Sequence, residues 1–300
     1  MKKQLQCALC ILLATVIWGS SFVSQSIGMD YIGPFTFQAF RCALAVIGLL
    51  PVIFISDVIH KKGSKFFARW KNKHLWKTGL LCGIPLFLAT NLQQLGIVDT
   101  DAGKSAFLTA MYIIIVPIIG IFRKQKPSKW IPLSVILAVA GLYCLSCVGV
   151  TSISKGDLLL LACAFMFAVQ ITLIDRFAGD LDALRLNWIQ ALVCTVLSSV
   201  MMLATEKPTW EGISACWIPL IHVGFFSLGV AYSLQIVGQR HLEPSAASLI
   251  MSMESVFAVL CSWMILKERM TPWETLGCVL VLVAVVLSQL PERKKAAIAK

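Results

Sequence analysis

Charge is what this 300-residue chain has least of: 14% of its residues are charged, against 58% that are apolar. A water-soluble domain of this length cannot cover so much apolar surface, which excludes a soluble globular enzyme. Histidine is scarce as well. His60, His74, His222 and His241 share no spacing of the kind a metal site or a nucleophilic triad needs. The 11 cysteines lie scattered through apolar runs, where a thiol packs as a small hydrophobe, and neither Cys7/Cys10 nor Cys144/Cys147 has a second ligand pair. No Walker A sequence occurs, so ATP is excluded as a direct energy source through this chain. The expectation is a protein with no catalytic residue, metal or cofactor.

What is present is a succession of apolar runs, each near the roughly 20 residues that a helix needs to cross a bilayer. They predict ten transmembrane helices: Leu5 to Ser24, Ile32 to Ser56, Trp76 to Val98, Gly103 to Phe122, Trp130 to Val150, Asp157 to Asp175, Leu184 to Thr205, Ser214 to Val237, Ser245 to Leu266 and Thr271 to Leu290. The fold class is thus an all-α membrane protein. The first run follows Met1-Lys2-Lys3 but is long and lacks a small-x-small cleavage site, so it reads as a helix and not as a signal peptide.

A formal charge of +11 invites a nucleic-acid reading, but the 26 Lys and Arg residues sort by loop. With the N-terminus placed in the cytoplasm, 20 fall on that side, 5 fall outside, and Arg41 lies within a helix. This bias is the positive-inside rule, and it predicts a lipid bilayer, not nucleic acid, as the partner of the basic residues.

The chain also matches itself at an offset of 143 residues: Ala102, Ser105, Thr109 and Tyr112 fall on Ser245, Ser248, Ser252 and Ser255, and Lys124, Ser128 and Trp130 on Lys267, Thr271 and Trp273. The expected organisation is therefore two five-helix repeats, residues 1–150 and 151–300, the second with a short basic tail. Five is odd, so the second repeat enters the membrane from the opposite side, giving inverted topology with both termini cytoplasmic.

Helix one carries Trp18-Gly19-Ser20-Ser21-Phe22, helix two has Pro34 followed by Arg41, and helix four runs from Tyr112 to Pro117. The second half carries Leu242-Glu243-Pro244-Ser245-Ala246-Ala247-Ser248-Leu249, then Met253-Glu254-Ser255-Val256-Phe257-Ala258, then Lys267-Glu268-Arg269-Met270-Thr271. In order and spacing these stretches resemble the drug/metabolite transporter superfamily, in its EamA-like branch, over essentially the whole chain. The family usually has proline at the place of Ser255 and glutamate near that of Gln125. The resemblance implies a carrier of the bacterial cytoplasmic (inner) membrane, often an exporter of amino acids or related metabolites.

Ionisable groups deep in a membrane are costly unless paired, hydrated or neutralised, which singles out Arg41 and Glu254, each nine residues into its span. Arg41 can recognise a substrate carboxylate, act as a structural partner for Glu254 or a cluster of carbonyls, or snorkel toward the interface; Glu254 can be a proton-coupling group or that structural partner. Polar and aromatic residues within the spans complete the candidate substrate-binding set: Trp18, Asn91, Gln94, Thr109, Tyr112, Gln170, Asn187, Gln190, Tyr232 and Gln235. Glu254 points about 140° away from the serine stripe of helix nine at ~100° per residue, so the stripe reads as packing surface.

The expected function is alternating-access transport of a small metabolite, an amino acid or related compound, with protons as the candidate coupling ion. An intramembrane enzyme acting on a lipid-linked substrate would need a histidine cluster or paired carboxylates, which the sequence lacks. A passive channel remains an alternative, and the oligomeric state stays open.

Overall fold

The computed structural model describes residues 2–59, 66–124, 128–146, 154–266 and 271–290, and among these every regular element is helical. The first half contains α1 (Lys2–Met29), α2 (Pro34–Ile59), the short α3 (Phe66–Trp70), α4 (Lys73–Ile97), α5 (Ala102–Thr109), α6 (Tyr112–Phe122) and α7 (Ile131–Ser146). The second contains α8 (Lys155–Phe177), α9 (Ala183–Thr205), α10 (Trp210–Ala215), α11 (Trp217–Ile221), a π-helical stretch (His222–Ala231), α12 (Tyr232–Gln239), α13 (Pro244–Met251), α14 (Met253–Leu266) and α15 (Pro272–Ser288). Polar residues beside the apolar runs start the helices. Ser154 and Asp157 close a capping box on α8, Thr271 and Glu274 close another on α15, and the Asp182 carboxylate accepts the Arg185 amide at the start of α9.

Among the described residues eight helical runs are long and apolar enough to cross a membrane, while α7 and α15 are shorter apolar helices of 16 and 17 residues. The expected end of helix five at Val150, and the Gln125 and Lys267–Arg269 positions, lie outside the described residues. Burial is arranged for lipid. Leu203, Ile47 and Ile136 are among the most exposed side chains, whereas glutamines 25, 38, 94, 170, 190 and 235 are at most 2% exposed.

Three expected spans are interrupted. Between α5 and α6 the bonds Met111 N–H to Leu108 O and Ile113 N–H to Ala110 O span three residues, so the helix tightens there. Between α13 and α14, Ser255 N–H bonds Ser252 O in the same way, and the Ser248 and Ser252 hydroxyls donate to the Ser245 and Leu249 carbonyls, which competes with the helical ladder. The eighth span is composite. The Asn187 amide inserts into its ladder and donates to Leu228 O, Gly229 O and the Ser233 hydroxyl, at 2.8, 2.9 and 3.0 Å, which is a local cause for the wide π-helical winding. Where that winding begins, His222 ring nitrogens meet Ser24 and Ser20 of α1 at 2.9 and 3.3 Å.

The packing has two-fold character. Helix α4 lies along α8 as α12 and the π stretch lie along α1; α4 packs on α9 as the π stretch packs on α2; α2 pairs with α9, and α7 with α15. The element bounds relate the halves: α2 and α9 begin 149 residues apart, at Pro34 and Ala183, which sets Trp18, Arg41 and Asp57 against Phe167, Gln190 and Glu206, and α5 and α13 begin and end 142 apart, which sets Gln93, Gly96 and Tyr112 against Gln235, Gly238 and Glu254. The second interval is 142, the separation of the bonded pair Tyr112 and Glu254, one residue shorter than the offset read from the sequence. Gly96 and Gly238 share a role. A Cβ on Gly96 would stand 2.6 Å from Leu160 and 3.0 Å from Gly156 O, and one on Gly238 would stand 2.9 Å from Cys7 O, so each lets one helix press on its neighbour's backbone.

Candidate functional site

A cavity lies within the bundle where α1, α2, α4, the α5/α6 break, α8, the π stretch with α12, and the α13/α14 break converge. It leaves about 30 Å³ for the centre of a water-sized sphere, within about 440 Å³ of atom-free space that includes open solvent. Aromatic and apolar walls come from Trp18, Phe22, Phe167 and Tyr232, with the Trp18 and Tyr232 rings edge to face at 5.1 Å. The helix breaks matter here because they bring Thr109, Tyr112, Met251 and Glu254 to the lining. Five equivalent pairs line it together: Trp18/Phe167, Phe22/Ile171, Gln93/Gln235, Thr109/Met251 and Tyr112/Glu254. The cavity therefore sits on the axis relating the halves.

Arg41 and Glu254 both line this cavity, but they do not form the ion pair that their depth suggested. Each is taken by a neutral partner instead. Arg41 Nη1 donates to Gln25 Oε1 at 2.6 Å, and its Nε, fully enclosed, has no partner. The Glu254 carboxylate accepts the Tyr112 hydroxyl at 2.9 Å. Two opposite ionisable groups thus face one space with part of their bonding capacity unspent.

Of the other candidates, Trp18, Thr109, Tyr112, Tyr232 and Gln235 line the cavity. The rest do not. Asn91 bonds Phe87 O and the Ser198 hydroxyl, joining α4 to α9; Asn187 holds the π stretch; Gln170 and Gln190 belong to a chain of side-chain amides; Gln94 is fully buried with neither amide atom bonded. The residue of α4 that lines the cavity is Gln93, whose amide donates to the Thr109 hydroxyl at 3.3 Å. Sequence reasoning also passed over Gln25, which lies one residue beyond the expected end of helix one, because α1 continues to Met29. The serine stripe of α13 and α14 is absent from the lining, and its four members are at most 4% exposed.

Two fastenings hold α2 against α9. At one end Asp57 pairs with Arg185 and with Arg69 of α3, while Asp182 pairs with Arg69 and, at 3.0 Å, with Arg185. The Arg185 guanidinium also lies over the Phe66 and Trp70 rings at 5.3 and 5.2 Å. At the other end Glu206 accepts the Phe35 and Thr36 amides at 2.9 and 2.8 Å and the Thr36 hydroxyl at 2.6 Å. Asp57 and Glu206 are equivalent positions, so one device recurs with different chemistry.

A sequence profile of the EamA-like transporter family matches the chain twice, over residues 5–147 and 154–290. An uncharacterized transporter of Archaeoglobus fulgidus is 31% identical over 294 residues, covering 96% of this chain and 87% of its own. The uncharacterized transporter YoaV of Bacillus subtilis is 22% identical over 284 residues, covering 90% of this chain and 92% of its own. A protein of known crystal structure, 15% identical, shares the fold with a TM-score of 0.75 over 94% of this chain and 96% of its own.

Proposed function

The chain belongs to the EamA-like transporter family, and we propose that it is a secondary carrier that moves an amino acid or related small metabolite across the bacterial cytoplasmic membrane by alternating access, as an exporter. The observation that carries this reading is the enclosed Arg41 guanidinium, bonded to the neutral Gln25 and facing a cavity that also holds the Glu254 carboxyl. An ionised group in such surroundings is costly without a counter-charge, and a carboxylate ligand supplies one. An α-amino acid brings both signs, its carboxylate to Arg41 and its ammonium to Glu254, with apolar parts against Trp18 and Phe167.

In this reading α7 and α15 also cross the bilayer, short as they are, giving ten spans. An odd number per repeat then makes the repeats inverted and puts both termini in the cytoplasm, in keeping with the basic residues. Two inverted halves can exchange conformations about one central site, which opens it to each side in turn. Protons are the proposed coupling ion, with Glu254 as their carrier.

The test is counterflow in proteoliposomes loaded with a pool of amino acids. Saturable exchange by the wild type and its loss in Arg41→Ala, with the variant still monodisperse, is the expected result. Undiminished exchange by Arg41→Ala would remove the carboxylate contact from the mechanism.

A further inference from the structure

Four buried glutamines form a chain beside the cavity. Gln170 Nε2 donates to Gln190 Oε1 at 3.2 Å, Gln235 Nε2 donates to Gln170 Oε1 at 3.2 Å and to Gln239 Oε1 at 3.3 Å, and Gln239 Nε2 donates to Ile171 O at 3.2 Å. All four are at most 4% exposed. They bind α9, α8 and α12 together, and one of them, Gln235, lines the cavity.

The direction of this chain is fixed from one end. A backbone carbonyl can only accept, so the NH₂ of Gln239 must face Ile171 and its oxygen must face Gln235. That oxygen demands the NH₂ of Gln235, which in turn demands the oxygen of Gln170, whose NH₂ is then directed at the oxygen of Gln190. Two groups are left over, the Nε2 of Gln190 and the Oε1 of Gln235, both enclosed and without partners. Turning the Gln235 amide over would set oxygen against oxygen at two contacts. The group that Gln235 has left for a ligand of the cavity it lines is therefore an acceptor and not a donor.

The other half differs at the corresponding places. The equivalent of Gln190 is Arg41, and the equivalent of Gln235 is Gln93, whose NH₂ is spent on Thr109. At these two places the first half thus supplies a charge, Arg41, and the second a neutral, oriented oxygen, while the second half's own charge in the cavity, Glu254, comes from the α13/α14 break.

We propose that Gln235, oriented by the chain through Gln239 to the Ile171 carbonyl, is a specificity-determining acceptor that selects substrates bearing an uncharged hydrogen-bond donor, a hydroxyl or carboxamide, on their side chain. The proposal rests on the amino-acid reading above and adds to it the class of side chain. An enclosed acceptor stays unbonded against an aliphatic side chain and is satisfied by a hydroxyl, so the site discriminates between isosteres that differ in that group. A cationic donor is not the fitting occupant, because with Glu254 taken by the ammonium a neutral oxygen does not offset the cost of desolvating a second cation.

The experiment is counterflow by the purified full-length protein in proteoliposomes with L-threonine and L-valine, which are nearly the same shape. The wild type is expected to favour threonine in kcat/KM on the order of tenfold. In Gln235→Leu the ratio should fall toward one. Gln239→Leu, which frees the amide to turn, should raise KM for threonine and leave KM for valine in place, a split that general loosening of the bundle does not produce. A wild-type preference for valine, or a threonine-to-valine ratio that survives both substitutions, overturns the amide subsite while leaving the carrier reading intact. If folded wild-type protein exchanges neither amino acid nor any other of the pool, the amino-acid reading falls and takes this substrate class with it. Should Gln235→Leu fail to assemble, the KM split in Gln239→Leu decides alone.

Discussion

Arg41 and Glu254 share one cavity while each leans on a neutral neighbour, Gln25 for the one and Tyr112 for the other. A carboxyl whose bond comes from a hydroxyl tolerates losing its charge far better than one tied to a guanidinium. Glu254→Gln, which keeps an acceptor for the ammonium but cannot carry a proton, is accordingly expected to retain exchange at a raised KM and to lose accumulation driven by an imposed pH gradient; loss of both together with a lowered melting temperature would assign Glu254 to structure. At this scale the sequence was partly legible. Depth along a span picked out both ionisable groups, and the helical phase that set Glu254 apart from the serine stripe agrees with the cavity lining. Phase failed in α4, where Asn91 and Gln94 were chosen and Gln93 lines the cavity. One residue is ~100° of rotation, and nothing in an amide-rich stretch says which rotation faces inward.

Among the elements, hydropathy located every long run, since lipid imposes a length on them. It could not locate the breaks. The α5/α6 and α13/α14 interruptions rest on a few three-residue bonds, and the π stretch rests on Asn187, which is 41 residues away from the Leu228 carbonyl it holds. The first two causes are local bonds and the third is tertiary, and all of them leave apolar periodicity unchanged. Glycine placement is a firmer element-scale guide. Replacing Gly238 by leucine drives a side chain into α1 at the Cys7 carbonyl, so Gly238→Leu should lower the melting temperature in detergent by several degrees and broaden the size-exclusion peak. An unchanged melt would show that α1 and α12 separate without cost.

For the molecule as a whole, the repeat was readable from residue types at matching places, but its register came out one residue long across α5 and α13, because short similar fragments constrain order better than phase. The fastening at Asp57 and Arg185 was not readable at all: the two are 128 positions apart, and each looked like an ordinary loop charge. Removing Asp57 leaves the guanidiniums of Arg69 and Arg185 sharing Asp182 alone, and removing Arg185 leaves the carboxylates of Asp57 and Asp182 sharing Arg69 alone, so each single change leaves one uncompensated charge in the network, at a cost on the order of 3 kcal/mol. Asp57→Leu and Arg185→Leu should therefore each melt well below the wild type, and the double variant should melt above the worse single one, because Arg69 and Asp182 still satisfy each other. A double variant that merely adds the two losses would show that the pair is not energetically coupled.

A machine with two identical halves has no preferred direction of rest, since exchanging the halves returns the same energy. Here the ends are unlike. One is clasped by two carboxylates, two guanidiniums and stacked rings, the other by a single carboxylate on a helix start. Each ~1.4 kcal/mol between them is a tenfold bias in the idle population. In the alternating-access reading proposed above, the place where the carrier waits between passengers therefore depends on Glu206 and Asp57, remote from the cavity, as well as on the residues that touch the cargo.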